Sequence, residues 1–366
     1  MMVPRSSHDK TVNPNMVILG RESRGLSQKM LADALGVPQS RVSMIEMGLR
    51  PVPDDLLEDI TRALDYPPHF FLQEGEIAGV GITEVFHRKR QNVPKYVLSK
   101  IYALMEIRLK HITTLLTSAD IESTIPHLQV DDYYGRVEEI ARVIRASLQI
   151  PRGPIHDLTQ TLEDAGVVII AFDFGTPLVD AIARWVPQLP PLFFVNQTSP
   201  KDRYRWSLAH ELGHVVMHEL PNPDIEEQAN RFAAEFLLPE REVRAGLEDL
   251  NLAKLAILKR YWKVSMAALL NRAEDLGIIT PNRARYLWAQ MAKAGYKTRE
   301  PVELDIRGEV PQLLHELVET HLDDLGYSET ELQEILALNK DEFKAQYLQD
   351  PSRPFLRIIH QARSLE

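Results

Sequence analysis

Apolar residues along the chain recur mostly at helical spacing, and only the stretch 167–195 changes to short continuous runs. Three short helical segments come first, NMVILGRESR, LSQKMLADALG and PQSRVSMIEMG, each closed by a glycine or a change of pattern. Ser27 stands where a helix N-cap accepts backbone N–H groups. Leu31, Leu35 and Val37 give the following segment an apolar face, and Gly36 marks its end. From Pro94 to about Leu116, the stripe of Val97, Ile101, Leu104, Ile107 and Ile112 predicts a long amphipathic helix. Its apolar side suits a core or a homodimer interface. After a Ser/Thr/Asp-rich loop, Val137, Ile140, Ala141, Ile144 and Leu148 share a helical face, and a short helix is expected over 155–162. Val167–Phe172, Ala181–Val186 and Leu192–Val195 are candidate strands, the second weaker. Helices over 204–220 and 225–239 follow, then an extended connection at 296–312 and two or three further helices.

Length and composition narrow the class. At 366 residues, 44% apolar and 26% charged, the chain suits two or three globular domains. No apolar run reaches the 18 or so residues that span a bilayer, and the polar N-terminus has no secretory h-region. The absence of cysteine excludes disulfides, leaves only His and carboxylate oxygen to hold a metal, and suits the cytoplasm. A net charge of −10 argues against non-specific coating of nucleic acid, although a local DNA-binding module is compatible with it.

Helix, glycine turn, helix over 27–48 is the arrangement that lays its second helix in the major groove. LSQKMLADALGVPQSRVSMIEMG resembles the Xre/Cro-type helix-turn-helix of phage-style repressors in its LSQ start, its Ala32 and Ala34 before Gly36, and its IE-x-G ending. The resemblance covers about 50 residues and implies a double-stranded DNA operator as partner, faced by Gln28, Gln39, Ser40, Arg41 and Ser43. Gln and Arg can read base edges, whereas Ser more often meets phosphate. Residues 1–75 carry 8 Lys/Arg against 10 Asp/Glu, so phosphate attraction is not built into the module itself. From Arg88 to Lys110, seven Lys/Arg face only Glu106, which offers either a compensating phosphate contact or a solvated helix face. Docking of a protein is the alternative role for such a module.

Residues 210–214 read His-Glu-Leu-Gly-His. Two histidines four residues apart lie on one face of a helix, so His210 and His214 can share one zinc ion (Zn2+), with Glu211 beside the bound water as general base. His218, one turn on, lies too far along the stripe to join them and reads as a supporting or structural residue. Gly213 suggests close approach of another backbone. A catalytic zinc takes three protein ligands. Glu226 is the expected third: it shares a face with Ala229, Asn230 and Ala233, whereas Glu227 is turned about 100° away. Glu219 is the weaker competitor.

SLAHELGHVVMH followed by ExxANRFAAEFLLP resembles the ImmA/IrrE family of zinc metallopeptidases, over about 150 residues ending at KVSMAALLNRAEDLGII. The resemblance implies His210, His214 and Glu226 as zinc ligands, Glu211 as catalytic base, and cleavage of a specific repressor or antitoxin-like protein, often itself a helix-turn-helix protein. Arg203, Tyr204, Arg205 and Tyr261 are oxyanion candidates by proximity alone. The expected fold is multidomain and mainly α. It comprises a helix-turn-helix domain at 13–75, a helical linker at 76–133, an α+β zincin-like metallopeptidase domain with a small sheet at 134–290, and a helical C-terminal region at 291–366. GYSETELQEILALNKDEF faintly echoes the helix-turn-helix, though a packing subdomain or dimerisation arm suits it better. The alternative function is a non-catalytic transcriptional regulator whose peptidase fold senses a ligand or partner. A closed structural zinc site would need a fourth ligand that the sequence does not offer.

Overall fold

The computed structural model describes residues 11–74, 93–119, 121–219 and 223–348; Arg88, Lys89 and Arg90 of the basic stretch, Leu220 at the end of the expected metal helix, and the chain beyond 348 lie outside them. The first four helices are α1 (Pro14–Ser23), α2 (Gln28–Leu35), α3 (Gln39–Glu46) and α4 (Asp54–Leu64). Local chemistry sets their ends. Asn13 caps α1 with Pro14 in its first turn, and the Ser27 side chain accepts the Met30 N–H at the start of α2. Gly36 closes α2 in the left-handed conformation at φ 64°. Met16, Leu31, Val42, Ile45 and Ile60 pack together beneath Phe70 and Phe71.

Helix α5 (Lys95–Leu115) is apolar on two sides, not one. Ala103, Ile107 and Leu115 join the core of the helix-turn-helix, while Leu98, Ile101, Met105, Leu109 and Ile112 pack on a sheet. Both faces of the stripe are therefore core. Next come α6 (Val137–Ser147) and α7 (Leu158–Asp164), then β1 (Val168–Phe172), β2 (Ala181–Arg184) and β3 (Leu192–Asn196). The strand order is β1-β3-β2, with β1 parallel and β2 antiparallel to β3. Period-two alternation divides the sheet cleanly. Val168, Ile170, Ile182, Leu192 and Phe194 face α5, whereas Ile169, Ala181, Ala183, Phe193 and Val195 face the helices of the other layer.

That other layer is built on α8 (Lys201–Met217) and α9 (Ile225–Leu237), completed by α10 (Leu252–Trp262), α11 (Met266–Asp275) and α12 (Pro281–Lys293). The C-terminal helices α13 (Leu313–Glu319), α14 (Glu329–Ile335) and α15 (Lys340–Phe343) turn back onto the N-terminal module. Leu317, Val318, Leu332, Leu336, Phe343 and Tyr347 share its core. Arg24 pairs with Glu342 at 2.8 Å, Asn339 donates to the Asp65 carbonyl at 3.0 Å, and His111 meets the Tyr347 hydroxyl at 2.7 Å. The segment that faintly echoes a helix-turn-helix is thus a packing element against the real one. Among the described residues, no helix is long and apolar enough to cross a membrane.

Candidate metal centre

Helix α8 carries the HELGH stretch on its buried side, and every residue from Leu208 to Met217 is buried. Its central glycine lets α9 come close. A Cβ on Gly213 would lie 3.2 Å from Cβ of Phe232, so the close approach is by a packed side chain and not, as expected, by a backbone. This contact brings the first turn of α9, with Glu226, beside the two histidines.

His210 Nε2 and His214 Nε2 are 3.0 Å apart, and each lies 3.6 Å from a different oxygen of Glu226. One ligand atom from each residue falls within 4.8 Å of the others. Ligands held at zinc-like distances in a tetrahedron are separated by about 3.4 Å, so this spacing suits a single ion shared by all three. The donor set fits as well, with two imidazoles and a carboxylate.

Hydrogen bonds turn both imidazoles the right way. Asn230 Oδ1 accepts from His210 Nδ1 at 3.1 Å, which leaves the Nε2 lone pair facing Glu226. For His214 the control runs through two residues. Gln228 Oε1 accepts from His218 Nε2 at 2.9 Å, so His218 Nδ1 is left as the acceptor for His214 Nδ1–H at 3.0 Å. Burial and the facing His214 push His218 down to about 4, which keeps it neutral in this chain of bonds. His218 stands one residue beyond the helix, in extended conformation at φ −121° and ψ 105°. The expected unbroken helical stripe of three histidines therefore ends at Met217, and this turn is what lets the His218 ring meet both His214 and Gln228.

Glu211 is buried, and its Oε2 accepts the Ala183 N–H of β2 at 2.8 Å. β2 is an edge strand of the sheet, so the carboxylate is fixed between the metal helix and a strand border. Glu219 is exposed and faces His127 at 3.3 Å instead of the trio. The oxyanion candidates are committed elsewhere. Arg203 binds Asp180 at 2.6 Å, Tyr204 meets Thr159 at 3.2 Å, Arg205 pairs with Glu309, and Tyr261 is exposed near Gly153. Asn230 sits on the Glu226 face, where helical spacing could have picked it out. Gln228 and the Ala183 N–H carried no such signal. A cleft of 1230 Å³ is lined by Trp206, Glu227, Asn230, Arg231 and Lys297, and meets His210 only through Asn230 on its Nδ1 side, with His210, His214 and Glu226 themselves outside its wall.

In the N-terminal module, Gln39 and Ser40 are exposed at the start of α3, and Ser43 is half-buried one turn further on. Gln28 donates to Glu46 at 2.8 Å and accepts from Gln39 at 3.2 Å, so its amide is engaged within the module. Arg41 is half-buried, with Nε shut away from any acceptor.

Family comparison agrees with both halves of this arrangement. A model of the helix-turn-helix matches residues 19–71, and a model of the IrrE N-terminal-like domain, a peptidase family, matches residues 162–274. No curated protein matches the chain. The chain thus joins a DNA-binding helix-turn-helix domain to an ImmA/IrrE-type metallopeptidase domain.

Proposed function

We propose that this protein is a DNA-binding transcriptional regulator and a zinc-dependent endopeptidase that cleaves a specific repressor or antitoxin-like protein, itself a helix-turn-helix protein. The observation that carries the reading is the convergence of His210, His214 and Glu226 within 4.8 Å, with Glu211 held on the same helix. A zinc ion bound by the three would polarise a peptide carbonyl and ease deprotonation of water. Glu211 takes that proton and passes it to the departing amine, and its bond to the Ala183 N–H holds the carboxylate in place for this exchange.

On the DNA side, Gln39, Ser40 and Ser43 of α3 lie toward the operator, with Arg41 at the margin of that face and Gln28 bracing Gln39 from behind. The acidic balance of the module makes base-edge contacts matter more than phosphate attraction.

The decisive test measures zinc content and cleavage of co-expressed candidate repressors for the wild type and for Glu211→Gln. The variant should keep its zinc and lose cleavage by roughly 10²–10⁴-fold. Undiminished cleavage by Glu211→Gln would sink the enzymatic reading. Normal operator regulation by Glu211→Gln, with no cleavage by either protein, would favour a regulator that uses the peptidase fold as a sensor.

A further inference from the structure

A second cavity, of 370 Å³, lies away from the metal centre, where α5, the outer edge of β1, the start of α8 and the C-terminal helices meet. Its most unusual lining residue is Arg108 of α5. The side chain is only 9% exposed, yet among the described residues no carboxylate pairs with it. One guanidinium N–H reaches the Leu104 carbonyl at 3.3 Å, and the plane lies over Phe172, 4.2 Å from the ring centroid. A buried guanidinium is costly without an anion, and burial here pushes its pKa down.

Three neighbours add to the deficit of negative charge. Lys201 lines the same cavity; burial lowers its pKa, and among the described residues its ammonium meets the Gln197 carbonyl at 3.5 Å and the Tyr204 ring at 5.9 Å, with no carboxylate. Lys201 is also the first residue of α8, whose positive dipole end faces this side. The outer border of β1 supplies backbone donors. Val168 N–H and the Phe172 carbonyl are bonded toward the β3 side, so Ile169 and Ala171 turn both their N–H and their C=O groups outward, where both residues line the cavity. The one carboxylate in the wall, Glu309, is already held by Arg205 and by the backbone and hydroxyl of Thr159. A buried side-chain acceptor lies in the same wall. Gln346 gives its amide N–H to Glu342 at 2.9 Å, which fixes the amide's orientation and leaves Oε1 buried with no donor.

We infer that this cavity is a binding site for a small oxyanion-bearing ligand, a phosphate or a hydroxy-carboxylate, held by Arg108 and Lys201, with its own hydroxyl donating to Gln346. The ligand would bridge the helix that braces the DNA-binding module, the edge of the peptidase sheet and the C-terminal helices. It would also sit about 14 Å along α8 from His210.

Isothermal titration calorimetry of the full chain, with inorganic phosphate and separately with lactate at matched ionic strength, tests this. One of the two should bind saturably at a single site, and which one does so identifies the anionic group. Lys201→Gln and Arg108→Gln should each weaken that binding by about tenfold or more, while Arg62→Gln on the open surface leaves it unchanged. Circular dichroism shows whether Arg108→Gln folds; if it does not, Lys201→Gln alone decides. Absence of saturable heat with both anions, or equal affinity in Lys201→Gln, would overturn the assignment. The heat is read without any peptidase turnover, so this result stands apart from the fate of the enzymatic reading.

Discussion

Arg21 and Glu46 face each other inside the helix-turn-helix at 2.5 Å, and His210 and His214 face each other on α8 at 3.0 Å; both pairs are buried. The first pair is closed. Glu46 takes a second bond from Arg21 and one from Gln28, and Arg21 reaches the Leu26 carbonyl, so the charged groups of this pair are engaged inside the module. The second pair is arranged quite differently. Its outward nitrogens are tied to Asn230 and His218, so that two lone pairs and a carboxylate point at one another across a small gap. Two imidazoles and a carboxylate brought together in this way make a donor set that a divalent cation can take. A closed network rigidifies a fold, while a convergent one prepares for a guest.

The sharpest way to break this comparison is to open the closed pair. Glu46→Ala leaves the Arg21 guanidinium buried without its carboxylate and should cost about 3–5 kcal/mol in chemical denaturation. Replacing both partners by apolar residues of similar volume, Arg21→Met with Glu46→Leu, should recover most of that loss, because a structural pair is exchangeable for packing. Failure of the double variant to recover would mean that the pair has a further role, such as holding Gln28 for DNA.

A third buried carboxylate tests the same idea through pH. Glu163 accepts N–H bonds from Gln312 at 2.9 Å and Leu313 at 3.1 Å, closing the start of α13 as Glu46 closes the helix-turn-helix. Burial nevertheless prevails over these donors and pushes Glu163 up to about 7. A carboxyl whose pKa is raised in the folded state contributes stability that is fully present below its unfolded pKa and is lost as pH rises through the folded one. Stability should therefore fall by roughly 3 kcal/mol between pH 5 and 8 on account of this group. Glu163→Gln should flatten that fall in denaturation curves measured across the range. An identical slope in the variant would show that Glu163 is ionised throughout.

Much of this contrast was legible in the sequence, and the remainder was not, for reasons that are physical. Ser27 and Gly36 punctuate α2 because capping is local, helical spacing puts His210 and His214 on one face and Glu226 on the inward side of the next helix, and the family resemblance joined the three. The short continuous apolar runs over 167–195 likewise foretold a small sheet. What spacing could not show is how one helix serves two cores. The stripe of α5 reads as a single apolar face, yet Ile107 packs on one module and Ile101 on another. Nor could it show that the C-terminal helices fold back onto the N-terminal module, since Arg24–Glu342 spans almost the whole chain. His218 was hidden for a different reason. Its role depends on the helix stopping at Met217, and the turn that follows depends on tertiary contacts that no local signal encodes.

The smallest expected effect is the one that most sharpens the comparison. Asn230→Ala removes the acceptor that holds His210 Nδ1–H, while His210, His214 and Glu226 all remain. If the convergent cluster is a metal site, loss of such a support should weaken zinc affinity by about 10–100-fold, read by competition with a chromogenic chelator, with little change in thermal stability of the metal-free protein. A purely structural polar cluster would behave the other way round, because loss of a buried acceptor costs the fold about 1–3 kcal/mol whatever the metal does. Asn230→Asp separates the two further. It restores an acceptor and adds charge, so zinc binding should return to at least the wild-type level. Zinc affinity unchanged in Asn230→Ala would mean that the His210 ring is fixed by packing alone, and the orienting bond would lose its part in the site.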